Sequence, residues 1–160
     1  MLSIRAVTAD DVPLLRTMIY ELAAYELLEH KTIVSDVDLL RDGFGPQPKF
    51  RALLADWDGQ PAGYALFFEF YSTFQGRPGI FLEDIFVRPA FRKKGIGKEL
   101  LSQVARITRD ENYFCLRWEV LDWNQMAIDF YQQLGATFMN EWKNVRLSGD
   151  ALQNLAAQAK

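Results

Sequence analysis

The sequence predicts an α/β layer structure: a mixed central sheet of about six to seven strands flanked by helices. Three observations lead there. Short apolar runs bounded by turn residues alternate with segments whose apolar residues recur at helical spacing, in the order β-α-α-β-β-β-α-β-α-β with a further helix at the end. Aromatic residues are plentiful, with twelve Phe, six Tyr and four Trp to fill an interior. No repeat, low-complexity stretch or linker interrupts the chain, so residues 1–160 read as one domain with room for a sizeable core.

The run LSIRAV at 2–7 reads as the first strand. Thr8 follows as a helix cap with Asp11 three positions on, a capping-box variant, and Leu14, Leu15, Met18, Ile19 and Leu22 then keep helical spacing. VSDVDLL starts a second helix: Ser35 caps it, Asp38 takes the third position, and Val34 with Leu39 suits a hydrophobic staple. DGFGPQP, with two Gly and two Pro, ends it. FRALLAD and AGYALFFEFY read as strands joined through a hairpin turn at Asp58-Gly59, and IFLEDIFV is the next strand. A helix follows over Ile96, Leu100, Leu101, Val104 and Ile107. FCLRWEVL is another strand, and NQMAIDFYQQLG a helix capped by Asn124 and stopped by Gly135. WKNVRLS reads as a late strand and GDALQNLAAQA as a terminal helix.

Composition excludes several functions. A net charge of −3 disfavours a general nucleic-acid-binding surface and leaves room only for a local basic patch. The one cysteine, Cys115, permits no internal disulfide, and its apolar strand with no neighbouring His reads as a buried, inert thiol. With His30 as the only histidine, no metal site of several histidines or cysteines is expected. No apolar run approaches the roughly 18 residues of a membrane span, and MLSIRAVTADD lacks the pattern of a signal peptide. The expectation is a cytoplasmic protein with no metal, nucleic-acid or membrane partner.

The densest chemistry lies in FVRPAFRKKGIGKELL, residues 86–101. Three consecutive cations, Arg92, Lys93 and Lys94, run into Gly95-Ile96-Gly97 at the mouth of a helix. A helix N-terminus offers unpaired N–H groups and partial positive charge, and the glycines let a ligand approach the backbone. That combination suits a phosphate group. A dinucleotide fingerprint would need glycine where Leu100 stands, and a Walker loop would need Ser or Thr where Glu99 stands. A solvated basic helix start is the remaining alternative.

FRKKGIGKELL resembles the diphosphate-binding pattern R-x-x-G-x-G of the GCN5-related N-acetyltransferases (GNAT). LEDIFVRP stands directly upstream, and NQMAIDFYQQLGA resembles the family's N-x-x-A-x-x-F-Y-x-x-x-G-F motif. ELAAYE, DLLRDGFGPQP, FLEDIFV and WN with FYQQLGA resemble one branch, the diamine (spermidine/spermine) and thialysine N-acetyltransferases. The resemblance covers nearly the whole chain. It implies the GNAT fold, acetyl-CoA as cosubstrate, and a small primary amine that attacks directly in a ternary complex. It further implies that the N–H groups of Lys93, Lys94, Gly95, Ile96, Gly97 and Lys98 hold the diphosphate, with the Arg92, Lys93 and Lys94 side chains near it. Backbone groups of Ile85, Phe86 and Val87 then hold the pantetheine arm in a gap between two parallel strands, with Asn124, Ala127 and Tyr131 also on the cofactor.

Attack of an amine on a thioester needs a deprotonated amine, a stabilised carbonyl oxygen and a proton for the leaving thiolate. Tyr131 lies two helical turns after Asn124, on the same side, and is the expected proton donor; the alternative is packing beside Phe130 and Leu134. Glu83 is the expected base, through a water, since an unpaired carboxylate in an apolar strand is costly. In a regular strand Glu83 and Asp84 point to opposite faces, and both reach one site only where the strand is bulged, as it often is in the family. Asp84 reads equally as a structural carboxylate. Glu26 continues the apolar face of Met18 and Leu22 and either ends that helix in solvent or, as the branch implies, lines the amine cleft with Tyr25 and with Glu119 from the neighbouring strand.

Two departures stand out. Lys143 occupies a stretch where the polyamine enzymes tend to be acidic, which favours a smaller substrate or one bearing a carboxylate. Lys93 and Lys94 replace the usual small and aromatic residues. The rival functions are acetylation of protein N-termini or lysines, and acyl-CoA sensing without catalysis. A homodimer is expected from the resemblance.

Overall fold

Residues 1–160 are all described by the structure, a computed structural model. The chain divides into two compact units, Met1–Glu119 and Val120–Lys160.

In the first unit one five-stranded sheet runs in the order β1-β2-β3-β4-β5. Its strands are β1 (Leu2–Ala6), β2 (Arg51–Trp57), β3 (Gln60–Ser72), β4 (Arg77–Val87) and β5 (Leu116–Trp118). Pairing is antiparallel from β1 to β4 and parallel between β4 and β5. The β2–β3 hairpin closes as the Asp58-Gly59 pair predicts: both residues have positive φ, 51° and 75°. Between β1 and β2 lie α1 (Val12–Tyr25) and α2 (Asp36–Phe44), and α3 (Ile96–Asp110) joins β4 to β5.

The caps hold these helices where the sequence puts them, with one difference. Thr8 opens a 3-10 turn, Ala9–Asp11, before α1 begins, and the Thr8 N–H donates to Asp11 Oδ2 at 2.8 Å. Ser35 and Asp38 exchange bonds at the start of α2, as expected. α1 buries Leu15, Met18 and Leu22, a stripe at helical spacing, against Leu54, Tyr64, Leu66 and Phe86 of the sheet. α3 covers the other face: beside Phe86, which faces α1, Val87 points the opposite way, with its Cγ2 3.7 Å from where a Cβ on Gly97 would lie. Leu15, Leu54, Ile80, Leu100 and Val104 are fully excluded from solvent. Each such burial stabilises the fold by about 1.5–3 kcal/mol.

The second unit holds α4 (Gln125–Gln133) and α5 (Gly149–Ala156). The expected late strand WKNVRLS does not form: residues 142–148 have no strand assignment. FCLRWEVL contracts to the three residues of β5. The sheet therefore has five strands where six to seven were expected. Both corrections have one cause: alternation makes a segment competent for a strand, but a strand exists only where a ladder partner accepts its hydrogen bonds. No helix is long and apolar enough to cross a membrane.

Candidate active site

Two irregularities on β4 make the site. The parallel ladder with β5 runs through Ile80–Leu116, Phe81–Arg117 and Leu82–Trp118 and stops there. From Glu83 to Val87 the β5-facing edge of β4 has no strand partner, so the backbone groups that point to that edge lack ladder bonds, the Val87 carbonyl being taken by Arg92 Nε. On the other edge, Leu66 pairs with Asp84 and Phe67 with Leu82, which leaves Glu83 as the extra residue of a β-bulge. A bulge sets two residues against one and re-aims their side chains. Glu83 and Asp84 thus escape strict alternation, the condition for both to serve one site.

Three carboxyls gather here. Burial raises the Asp84 carboxyl to about 6; the Tyr64 hydroxyl, donating to Oδ2 at 2.9 Å, opposes that rise, and Glu83 and Glu26 add to it. Burial also raises Glu83, with Glu119 contributing, although the residue as a whole is exposed. Glu26 is raised by burial alone. It sits just past α1, where the Leu28 N–H reaches back to the Ala23 carbonyl at 2.8 Å and Leu27 takes a left-handed φ of 60°. The charges acting on Asp84 and Glu83 are other carboxylates, so the cluster attracts cations and holds protons more tightly than free carboxyls do.

Past the end of β4 the charge reverses. After a 3-10 turn, Pro89–Phe91, Lys93 and Gly95 both take left-handed φ, 62° and 80°, which turns successive N–H groups into one concavity. The first α3 bond runs from the Glu99 N–H to the Gly95 carbonyl at 3.0 Å, so Ile96, Gly97 and Lys98 keep N–H groups without intrahelical partners. A Cβ on Gly95 would meet no protein atom within 4 Å, and one on Gly97 only Val87. The space beside the turn is open. Arg92 lies over the Tyr25 ring at 4.5 Å and its Nε donates to the Val87 carbonyl at 3.1 Å; Lys94 lies over Trp57 at 4.7 Å. Tyr25, expected at the amine cleft, thus also anchors the cationic turn.

Within the second unit, Asn124 Oδ1 accepts from the Ala127 N–H at 3.3 Å and caps α4. Gly135 stops the helix with φ 81°. Tyr131 is 6% exposed, its ring 5.4 Å from that of Phe130.

Sequence reasoning missed three contributors. Tyr64 sits in an apolar run that reads only as core. Trp57 receives Lys94. Arg88 clamps the end of β4, with Nε and Nη2 donating to Glu21 of α1 at 2.8 Å and Nη1 to the Pro61 carbonyl at 2.9 Å. None has a local signal, because each partner is distant in sequence.

The sequence profile described as the Acetyltransferase (GNAT) family matches residues 17–136. The chain is 39% identical to the thialysine N-epsilon-acetyltransferase of Sus scrofa over 97% of either protein. It is 31% identical to an L-ornithine N5-acetyltransferase of Arabidopsis thaliana, covering 94% of this chain and 86% of that one. Among solved structures, an integron cassette protein from the mobile metagenome of V. cholerae superposes with a TM-score of 0.81 at 24% identity over 97% of each chain, a likeness of fold. The chain belongs to the GNAT family of N-acetyltransferases, in a branch similar to the thialysine enzymes. The five-stranded sheet with its flanking helices is the GNAT fold that the motifs imply.

Proposed function

We propose that residues 1–160 act as one acetyltransferase domain that moves the acetyl group of acetyl-CoA to a primary amine of a small molecule. The favoured acceptors are thialysine, a lysine-like amine or a short diamine, ahead of spermine. The observation that carries the reading is the arrangement along β4: carboxyls at the bulge, an unpaired edge at 85–87, and the open N–H turn at 92–98. Relatives named for thialysine and ornithine, amino acids with a side-chain amine, support the substrate class, and Lys143, where polyamine enzymes tend to be acidic, agrees with it.

The turn at Lys93–Lys98 takes the diphosphate, with Arg92, Lys93 and Lys94 adding charge. Ile85, Phe86 and Val87 hold the arm, and an N–H there steadies developing charge on the carbonyl oxygen. Bound acetyl-CoA supplies a thioester open to a neutral amine. Tyr25, Glu26, Asp84 and Glu119 receive the ammonium. Glu83 takes its proton through a water, and burial, with Glu119 beside it, makes its carboxylate more basic than a free one. Asn124 and Ala127 orient the cofactor, and Tyr131 holds a proton for the leaving thiol. We further propose a cytoplasmic homodimer, supported by the exposure of Trp142, Val145 and Leu147.

Thiol release from acetyl-CoA across thialysine, lysine, ornithine, putrescine, spermidine and spermine, with product masses, tests the reading. The expected result is higher kcat/KM for thialysine or a short diamine than for spermine. Transfer only to peptide amines, or to none, contradicts it.

A further inference from the structure

Tyr64 has no solvent exposure and stands among Leu15, Met18, Leu22, Leu54 and Phe86, surroundings that a phenylalanine would suit equally. Its hydroxyl needs a partner, since a buried hydroxyl without one is costly. That partner is Asp84, the diagonal cross-strand neighbour: Tyr64 pairs with Phe86, two residues along β4.

We propose that Tyr64 is a positioning residue for amine recognition: its hydroxyl, donated to Asp84 Oδ2 at 2.9 Å, holds Asp84 as a carboxylate able to receive the substrate's ammonium. This rests on the amine-acetyltransferase reading and names the residue that sets the charge of its acceptor cluster.

Four influences meet at Asp84. Burial, Glu83 on its own strand and Glu26 at the end of α1 all favour the protonated acid; Tyr64 from β3 alone favours the anion. Tyr64 itself cannot take over the charge, because burial first and the neighbouring Asp84 second push its own ionisation well above the usual phenol range. It is therefore a donor at every working pH. A bond donated to an anion is about twice as strong as one to a neutral group, so the hydroxyl tilts Asp84 toward the charged form before any substrate arrives. Asp84 titrates at about 6 with this bond in place. Without it, ionisation moves up by about one pH unit or more. A neutral acid beside Glu83 and Glu26 then offers the amine less charge, and it competes with Glu83 as a proton holder.

The test is Tyr64→Phe, which keeps the ring. Calorimetric CoA affinity stays at the parental value. KM for thialysine rises about fivefold at pH 6, converges on the parental value by pH 8.5, and kcat changes less; the acid limb of 1/KM moves up by about one unit. In an Asp84→Asn background the same change adds no pH-dependent effect, because its partner no longer titrates. An equal loss at every pH with an unmoved limb is what packing alone predicts; it overturns the proposal and leaves the amine reading standing. A parent that acetylates no amine overturns both, before any variant is made. Should Tyr64→Phe fail to fold, NMR of the parent decides: the Tyr64 13Cζ shift must titrate with the acid limb of 1/KM and lose that titration in Asp84→Asn, and a shift indifferent to pH across the limb overturns the proposal.

Discussion

At residues 92–98 the groups offered to a ligand are backbone N–H donors, shaped by left-handed φ at Lys93 and Gly95, with Arg92 and Lys94 resting on aromatic rings. At Glu26, Glu83 and Asp84 they are side chains from two elements, brought together by a helix end and a bulge and tuned by the Tyr64 hydroxyl. The first region is built from consecutive residues. The second exists only in the tertiary fold, and every carboxyl in it holds its proton more tightly than usual. An anion site can be made from peptide dipoles without burying charge, whereas a cation site made of carboxylates must crowd like charges out of water. The cradle should therefore be sensitive to shape, and the cluster to pH.

The largest expected effect sets a reference outside both regions. Tyr131→Phe should leave CoA and amine binding near parental while turnover falls about 10²–10⁴-fold, the loss of a general acid. Parental turnover in a chemistry-limited assay would assign Tyr131 to packing beside Phe130.

Next comes shape. Gly97→Val places a side chain where the protein offers only Val87 at 3.7 Å, so the fold should persist while CoA affinity falls on the order of 100-fold, about 2.7 kcal/mol. Unchanged calorimetric affinity breaks the cradle half of the comparison. Gly95→Ala sharpens it: no atom obstructs the new Cβ, but φ of 80° makes it a backbone defect of about 1 kcal/mol in stability.

A further effect on stability, of similar size, runs with pH. Asp84 is raised in the fold from 3.8 to about 6, so the folded state binds that proton more tightly than the unfolded chain. The stabilisation is complete below about pH 4 and is lost as pH rises through 6. Asp84→Asn removes the buried charge and keeps an acceptor for Tyr64. It should stabilise the protein at pH 8 by about 1–2 kcal/mol, after allowance for partial exposure, with the gap closing toward pH 4. Urea melts at both pH values check this. A gap independent of pH means that Asp84 is not the crowded group.

The same contrast explains what the sequence could disclose. The Asp58-Gly59 turn, the Ser35 and Asn124 caps and the Arg92–Gly97 turn were legible because each is settled within a few residues. Glu83 and Asp84 were legible as costly residues in an apolar strand, but their shared face depends on a slip in register with β3 that no local pattern records. Tyr64 was hidden because its hydroxyl matters only once Asp84 lies diagonally across the ladder. WKNVRLS misled in the opposite direction, offering alternation without a strand to pair with.

The central claim is that an ammonium received at the β4 bulge gives its proton to Glu83 before it attacks. The most direct measurement is the pH profile of kcat for acetyl transfer to thialysine in parent and Glu83→Gln proteins, under chemistry-limited conditions. The parent should level off above the raised pKa of Glu83. The variant should lose about 10²-fold near neutrality and climb with pH toward the amine's own pKa, because deprotonation then falls to solvent. A Glu83→Gln protein that traces the parental profile at parental rates would contradict the account.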